Sequence, residues 1–125
     1  MDSARGFEQM TQNVLVIISS GEEAVDKALT GMMYALNVKK SKWLDDVNVI
    51  FFGPSERMIA KADSNSQVGA YLKQLMEQGI TPVACRAIAE RENLGNNLSA
   101  LGLNVEYVGH IISSYIKKDY QVLTF

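Results

Sequence analysis

An open, mainly parallel sheet covered by helices on both faces is the fold class predicted by three observations: strand-length apolar runs, helical spacing between them, and intervals long enough for crossover helices. Strand and helix alternate about five times, and the connections are expected to be right-handed. The stretch 1–12 is polar apart from Phe7 and Met10 and reads as a loose lead-in to a single domain over 13–125. Val14 to Ile18 is a continuous apolar run rich in β-branched side chains, the pattern of a strand buried on both faces, and it stops at Ser19-Ser20-Gly21. From Glu22 the period changes, with Ala24, Val25, Ala28, Leu29, Met32, Met33 and Leu36 recurring at helical spacing as one core stripe. Glu22 and Glu23 stand in the first turn of this helix and Lys39 and Lys40 past its end, an order that suits the helix dipole, and Ser20 is the expected N-cap.

Val47 to Phe52 is a second apolar strand that ends in Gly53-Pro54-Ser55, before a short helix around Glu56 to Lys61. Asp63-Ser64-Asn65-Ser66 reads as a turn that caps the next helix, whose apolar face is Val68, Tyr71, Leu72, Leu75 and Met76 and whose C′ residue is Gly79. Ile80 to Ala84 is a short strand with Pro82 near its start, where proline is tolerated. Cys85 follows at once, then a helical stretch from Arg86 to Asn93, a break at Leu94-Gly95-Asn96-Asn97, and a resumed turn over Leu98 to Leu101. Val105 to Val108 is the expected fourth strand, Ile111, Ile112, Tyr115 and Ile116 line a last helix, and Gln121 to Phe125 closes the sheet. There is no internal repeat, low-complexity segment or domain linker.

Composition bounds the function. With 47% hydrophobic and 21% charged residues, the 125-residue chain has the balance of a globular protein able to bury roughly two-thirds of its unfolded surface. A formal net charge of −2 supplies no field for nucleic acid or an anionic membrane. The apolar runs are far shorter than the about 20 residues that span a bilayer, and Met1 to Gln12 lacks the apolar core of a secretory signal. The expected compartment is the cytoplasm. A single cysteine forms no internal disulfide, and with one histidine no zinc-ligand spacing exists.

In an open parallel sheet, ligands bind beyond the carboxyl ends of the strands, near the point where strand order reverses. Those ends are Ser19-Ser20-Gly21, Gly53-Pro54-Ser55, Cys85-Arg86 and Gly109-His110, so the lone cysteine and the lone histidine fall on one edge. A thiol at a helix N-terminus or beside a cation ionises more readily, because unpaired N–H groups and positive charge stabilise the thiolate. Cys85 would occupy the N-cap of the helix that begins at Arg86, with Arg86 and Arg91 assisting and Glu90 and Glu92 opposing. An open, ionisable Cys85 is expected on these grounds, while a buried cysteine acting as a small hydrophobe fits the same spacing. His110 is either a catalytic base or a surface group at a helix start. Ser19-Ser20-Gly21-Glu22 either cradles an anion or caps the helix after it. Trp43, in a polar connector beside Leu44, is either a lid over the sheet edge or a subunit contact.

The strand from Val14 to Ser19, the long helix after it, the Gly53 turn, and Gly79-Ile80-Thr81-Pro82-Val83-Ala84-Cys85 followed by Ala89, Leu94 and Leu101-Gly102-Leu103 resemble the DsrE/DsrF-like family, the group that includes YchN and TusD. The resemblance spans Asn13 to Phe125. It implies a three-layer α/β/α domain with a five-stranded, mainly parallel sheet, assembled into trimers or hexamers. It also implies a sulfur relay or sulfurtransferase, in which Cys85 matches the position that carries sulfane sulfur as a persulfide and passes it to a TusA-like or DsrC-like carrier protein, with no metal or nucleotide cofactor. Arg86, Ser19, Gly53 and His110 are neighbours by strand-end geometry and not family motif residues. Some relatives have a second cysteine, which this chain lacks, and others have none and serve as structural subunits. The alternative for this chain is a non-enzymatic subunit of the same fold, binding a small anion or acting in assembly, with Cys85 as packing.

Overall fold

A computed structural model describes residues 11–125. Five strands, β1 (Asn13–Ile18), β2 (Asp46–Phe51), β3 (Val83–Cys85), β4 (Asn104–Glu106) and β5 (Gln121–Thr124), form one parallel sheet in the order β4-β3-β2-β1-β5. The first three crossovers step in one direction and the fourth returns across β1 to the far edge. Connections of one hand then place the intervening helices on one face, and the helix between β4 and β5 on the other.

The packing follows that rule. Val14, Val16, Ile18, Val47, Val49, Phe51 and Ala84 share a core with the helices α1 (Val25–Ser41), α2 (Pro54–Ala60), α3 (Gln67–Glu77), α4 (Arg86–Glu92) and α5 (Gly95–Ala100). The opposite face, with Leu15, Ile17, Ile50 and Cys85, meets α6 (Val108–Lys117) through Val108, Ile111, Ile112 and Tyr115. The carboxyl end of α6 is fastened to the sheet by Tyr120, whose ring packs edge-on to Tyr115 at 4.7 Å and whose hydroxyl donates to Asp46 Oδ2. Burial, with the Asp46 hydrogen bond behind it, pushes the Tyr120 phenol up to about 12.

Several boundaries differ from the sequence reading, each for a physical reason. Glu22–Ala24 is a separate 3-10 turn, and neither it nor α1 has a side-chain N-cap, so Ser20 does not fill that role. Met32 is fully buried, whereas Met33 is 43% exposed, because the α1 stripe turns away from the sheet between them. Lys39 and Lys40 lie inside the last turn of α1. Ile80 to Pro82 is outside β3: the Ile80 N–H bonds Leu75 O and the Gly79 N–H bonds Met76 O, a Schellman closure of α3 built on Gly79 at φ 85°. Val108 belongs to α6 and not to the fourth strand, which is the short exposed segment from Asn104 to Glu106.

Candidate functional site

At the carboxyl edge the β1 and β2 turns are pressed together. The Ser55 N–H donates to Ser19 O at 3.0 Å and Ser55 Oγ donates to Ile18 O at 2.5 Å. A Cβ on Gly21 would stand 2.4 Å from Pro54 O, so only glycine permits this approach. Gly53 adopts φ 106°, a conformation that L side chains rarely take, and Pro54 after it supplies the first residue of α2. The N–H groups of Ser19 and Ser20 both donate to Phe125 O, at 2.8 and 3.2 Å, and that of Gly21 to Glu23 Oε1 at 2.9 Å. The N–H groups of the anion-cradle alternative at Ser19-Ser20-Gly21 are therefore taken by the chain's own acceptors.

Cys85 ends β3 and begins α4, the position expected for it. Its setting is not the expected one: the residue is 5% exposed and lies in an aliphatic cluster with Leu15, Ile17, Ile50 and Val108. Side chains alternate along β3, so Val83 and Cys85 turn to the face that α6 covers while Ala84 turns to the larger core. Arg86 does not assist the sulfur. Its guanidinium stands 5.6 Å from the Tyr107 ring and 3.7 Å from Glu90, at the β4 edge. His110 is exposed and lines a shallow cleft of about 500 Å³ with Gly109, Ser113, Ser114, Lys117 and Lys118, on the solvent side of α6. The helix face that meets Cys85 is the opposite one, so the structure does not bring His110 and Cys85 together. Trp43 is 59% exposed, packs 6.5 Å from Tyr34, and sits where the chain enters β2 at its amino end, away from the edge that bears Cys85. The lid alternative for Trp43 is excluded by that placement.

One buried acid that the sequence reading did not single out stands at the same carboxyl edge, near the Cys85 backbone N–H, on a helix of the larger-core face. Glu56, the third residue of α2, is wholly buried, and its Oε2 accepts the Gly53 N–H at 3.2 Å. Its Oε1 has no hydrogen-bond partner among the described residues. Burial is the main cause that pushes its carboxyl up to about 7; the Gly53 N–H pulls it down, Glu92 raises it, and Arg91 and the Cys85 N–H lower it. The nearest cation along the chain, Arg57, is engaged elsewhere, donating to both Glu92 carboxylate oxygens at 2.7 and 2.9 Å and so tying α2 to α4. Among the described residues no group of three His, Cys, Asp or Glu side chains is placed to hold a metal ion.

The molecule is thus a five-stranded parallel α/β protein with one cysteine at the carboxyl end of a sheet strand. Two solved structures share the fold. BT1422, a conserved protein of unknown function from Bacteroides thetaiotaomicron, is 28% identical with a TM-score of 0.74, over 90% of this chain and 95% of that one. The YchN protein of E. coli is 16% identical with a TM-score of 0.65, over 91% of this chain and 99% of that one, a likeness that makes the fold YchN-like. No protein-family model matches the chain, and no curated protein does.

Proposed function

We propose that residues 13–125 act as one domain of a cytoplasmic, homo-oligomeric sulfur-relay protein, with Cys85 as its sulfur carrier. The observation that carries this reading is the place of the only cysteine: the carboxyl end of β3, at the N-cap of the helix after it, in a YchN-like fold. The Cys85 thiolate attacks the outer sulfur of a donor persulfide. A new S–S bond forms to Sγ, the donor's S–S bond breaks, and its electron pair leaves on the donor's inner sulfur as a thiolate. Transfer to a small TusA-like or DsrC-like carrier is the same exchange with Cys85 as leaving group. No net oxidation occurs, so neither metal nor nucleotide enters the scheme. Access to Sγ comes from brief release of the first turn of α6, where Val108 covers it, while the Tyr120–Asp46 contact holds the other end.

Incubation with polysulfide or thiosulfate followed by intact-mass measurement tests the relay. The wild type gains about 32 Da per sulfur atom and Cys85→Ala gains nothing. An unmodified wild type, or a gain that survives Cys85→Ala, overturns it. The burial of Cys85 among aliphatic side chains favours a second reading, a structural assembly subunit of the same fold in which the sulfur is packing. In that case no adduct forms.

A further inference from the structure

We propose that the free edge of β5 is an interface between two copies of this chain: their β5 strands pair antiparallel about a two-fold axis centred on Leu123, joining two sheets into one. The inference deepens the homo-oligomer of the proposed function, rests on that part of it alone, and makes no use of Cys85. Among the described residues β5 pairs only with β1, along one side. The Phe125 N–H donates to Ile17 O and Phe125 O accepts from the Ser19 N–H, so the backbone groups of Phe125 turn toward β1. Alternation along an extended strand turns those of Val122 and Thr124 the other way, where they bond to none of the described residues.

The two edges of the sheet are not equivalent. β4 has three residues, Glu106 among them, and the charged cluster of Arg86, Glu90 and Tyr107 stands beside it, which guards that edge against pairing. β5 has no charge, proline or bulge, and all four of its residues are exposed. Apolar surface borders it on both faces. Val122, 37% exposed, lies beside Leu15 on the α6 face, and Leu123, 40% exposed, lies beside Val16 on the other. On that second face the Phe125 ring packs 6.2 Å from Tyr34, which leads on to the exposed Trp43. An uncharged strand meets no repulsion from its own copy, and a two-fold pairing closes on itself, whereas β5 set on β4 would run head to tail from copy to copy.

The unpaired backbone groups also choose the register. Centred on Leu123, Val122 and Thr124 of each chain exchange N–H and C=O bonds with Thr124 and Val122 of the partner subunit, and the two Leu123 side chains meet as a close, non-hydrogen-bonded pair. Centred on Val122, Thr124 would face Tyr120, whose N–H is already held by Tyr115 O at 3.0 Å.

The test is disulfide cross-linking by copper phenanthroline in the full chain bearing Cys85→Ala, with sedimentation equilibrium of the unoxidised protein alongside. Leu123→Cys is expected to give a species of twice the 13.8 kDa of one chain, reversed by dithiothreitol, because opposed Cα atoms in such a pair stand about 4.5 Å apart, within disulfide reach. Val122→Cys is expected to stay uncross-linked, since the residue opposite it is Thr124. Linkage through Val122→Cys as complete as through Leu123→Cys overturns the register and the proposal with it. A mass above one chain without linkage at position 123 overturns the edge pairing and leaves the oligomer standing; a mass of one chain overturns both.

Discussion

At the scale of single residues two buried groups at the carboxyl edge stand out, Cys85 and Glu56, of which the sequence displayed only one. A solitary cysteine at a strand end attracts notice, whereas Glu56 is one of 14 acids and has no spacing of its own. A signal was present in Gly53-Pro54-Ser55-Glu56: a proline at the first helical position and a glutamate two residues later form an N-terminal signature whose acid folds back onto the turn. Burial was not legible, since the same pattern occurs on exposed helices. The exposure of Cys85 failed for a related reason, because strand alternation sets which face Sγ takes, and the sequence does not say what covers that face. Glu56 also carries a consequence for stability. The unfolded chain releases its proton at the ordinary value of 4.5 and the folded chain at about 7, so the native state is favoured by the bound proton. Stability conferred by the neutral acid is present below 4.5 and is lost as pH rises to about 7, a total of roughly 3 kcal/mol. Glu56→Gln is expected to match the wild type near pH 4 and to exceed it by about 1–3 kcal/mol at pH 8, read from urea midpoints. Equal midpoints at pH 8 would contradict this.

At the scale of elements, legibility followed burial. β1 and β2 were readable because both faces are covered along Val14–Ile18 and Val49–Phe51, where every side chain is apolar. β4 was misread because an edge strand of three residues with exposed Asn104 and Glu106 has almost no hydrophobic pattern, while apolar Val108 next to it is buried by the docking of α6. The closure of α3 at Gly79 was legible because a left-handed cap demands a residue without Cβ. The helix after Cys85 was placed correctly, yet its seven residues and the commitment of Arg86 to Tyr107 and Glu90 leave little positive field at the sulfur.

At the scale of the whole molecule, alternation of strand and helix conveyed the parallel sheet but not strand order, and strand order alone decides how many helices each face receives. The expectation of helices on both faces is met unevenly: among the described residues five helices pack on one side, α4 also reaching the other through Ile88, and α6 alone covers that other side from above. Ile116 is 55% exposed on α6 and Val122, 37% exposed, shares its face of the sheet with Leu15. Under the proposed assembly, this sparsely covered side is where a second copy is expected to pack. Sedimentation equilibrium should give a mass above the 13.8 kDa of one chain, reduced to that value by Ile116→Glu combined with Val122→Glu; a monomeric wild type would contradict the assembly. The same uneven cover makes the first turn of α6 the shortest way to the sulfur. The most direct measurement is therefore the rate of iodoacetamide labelling of Cys85 in urea concentrations below the unfolding transition. A relay thiol reached by release of one helical turn labels at a rate that urea hardly changes, because little surface is exposed in the opening. Labelling with the full urea dependence of global unfolding would show a thiol reachable only in the unfolded chain, and a buried cysteine of that kind carries no sulfur.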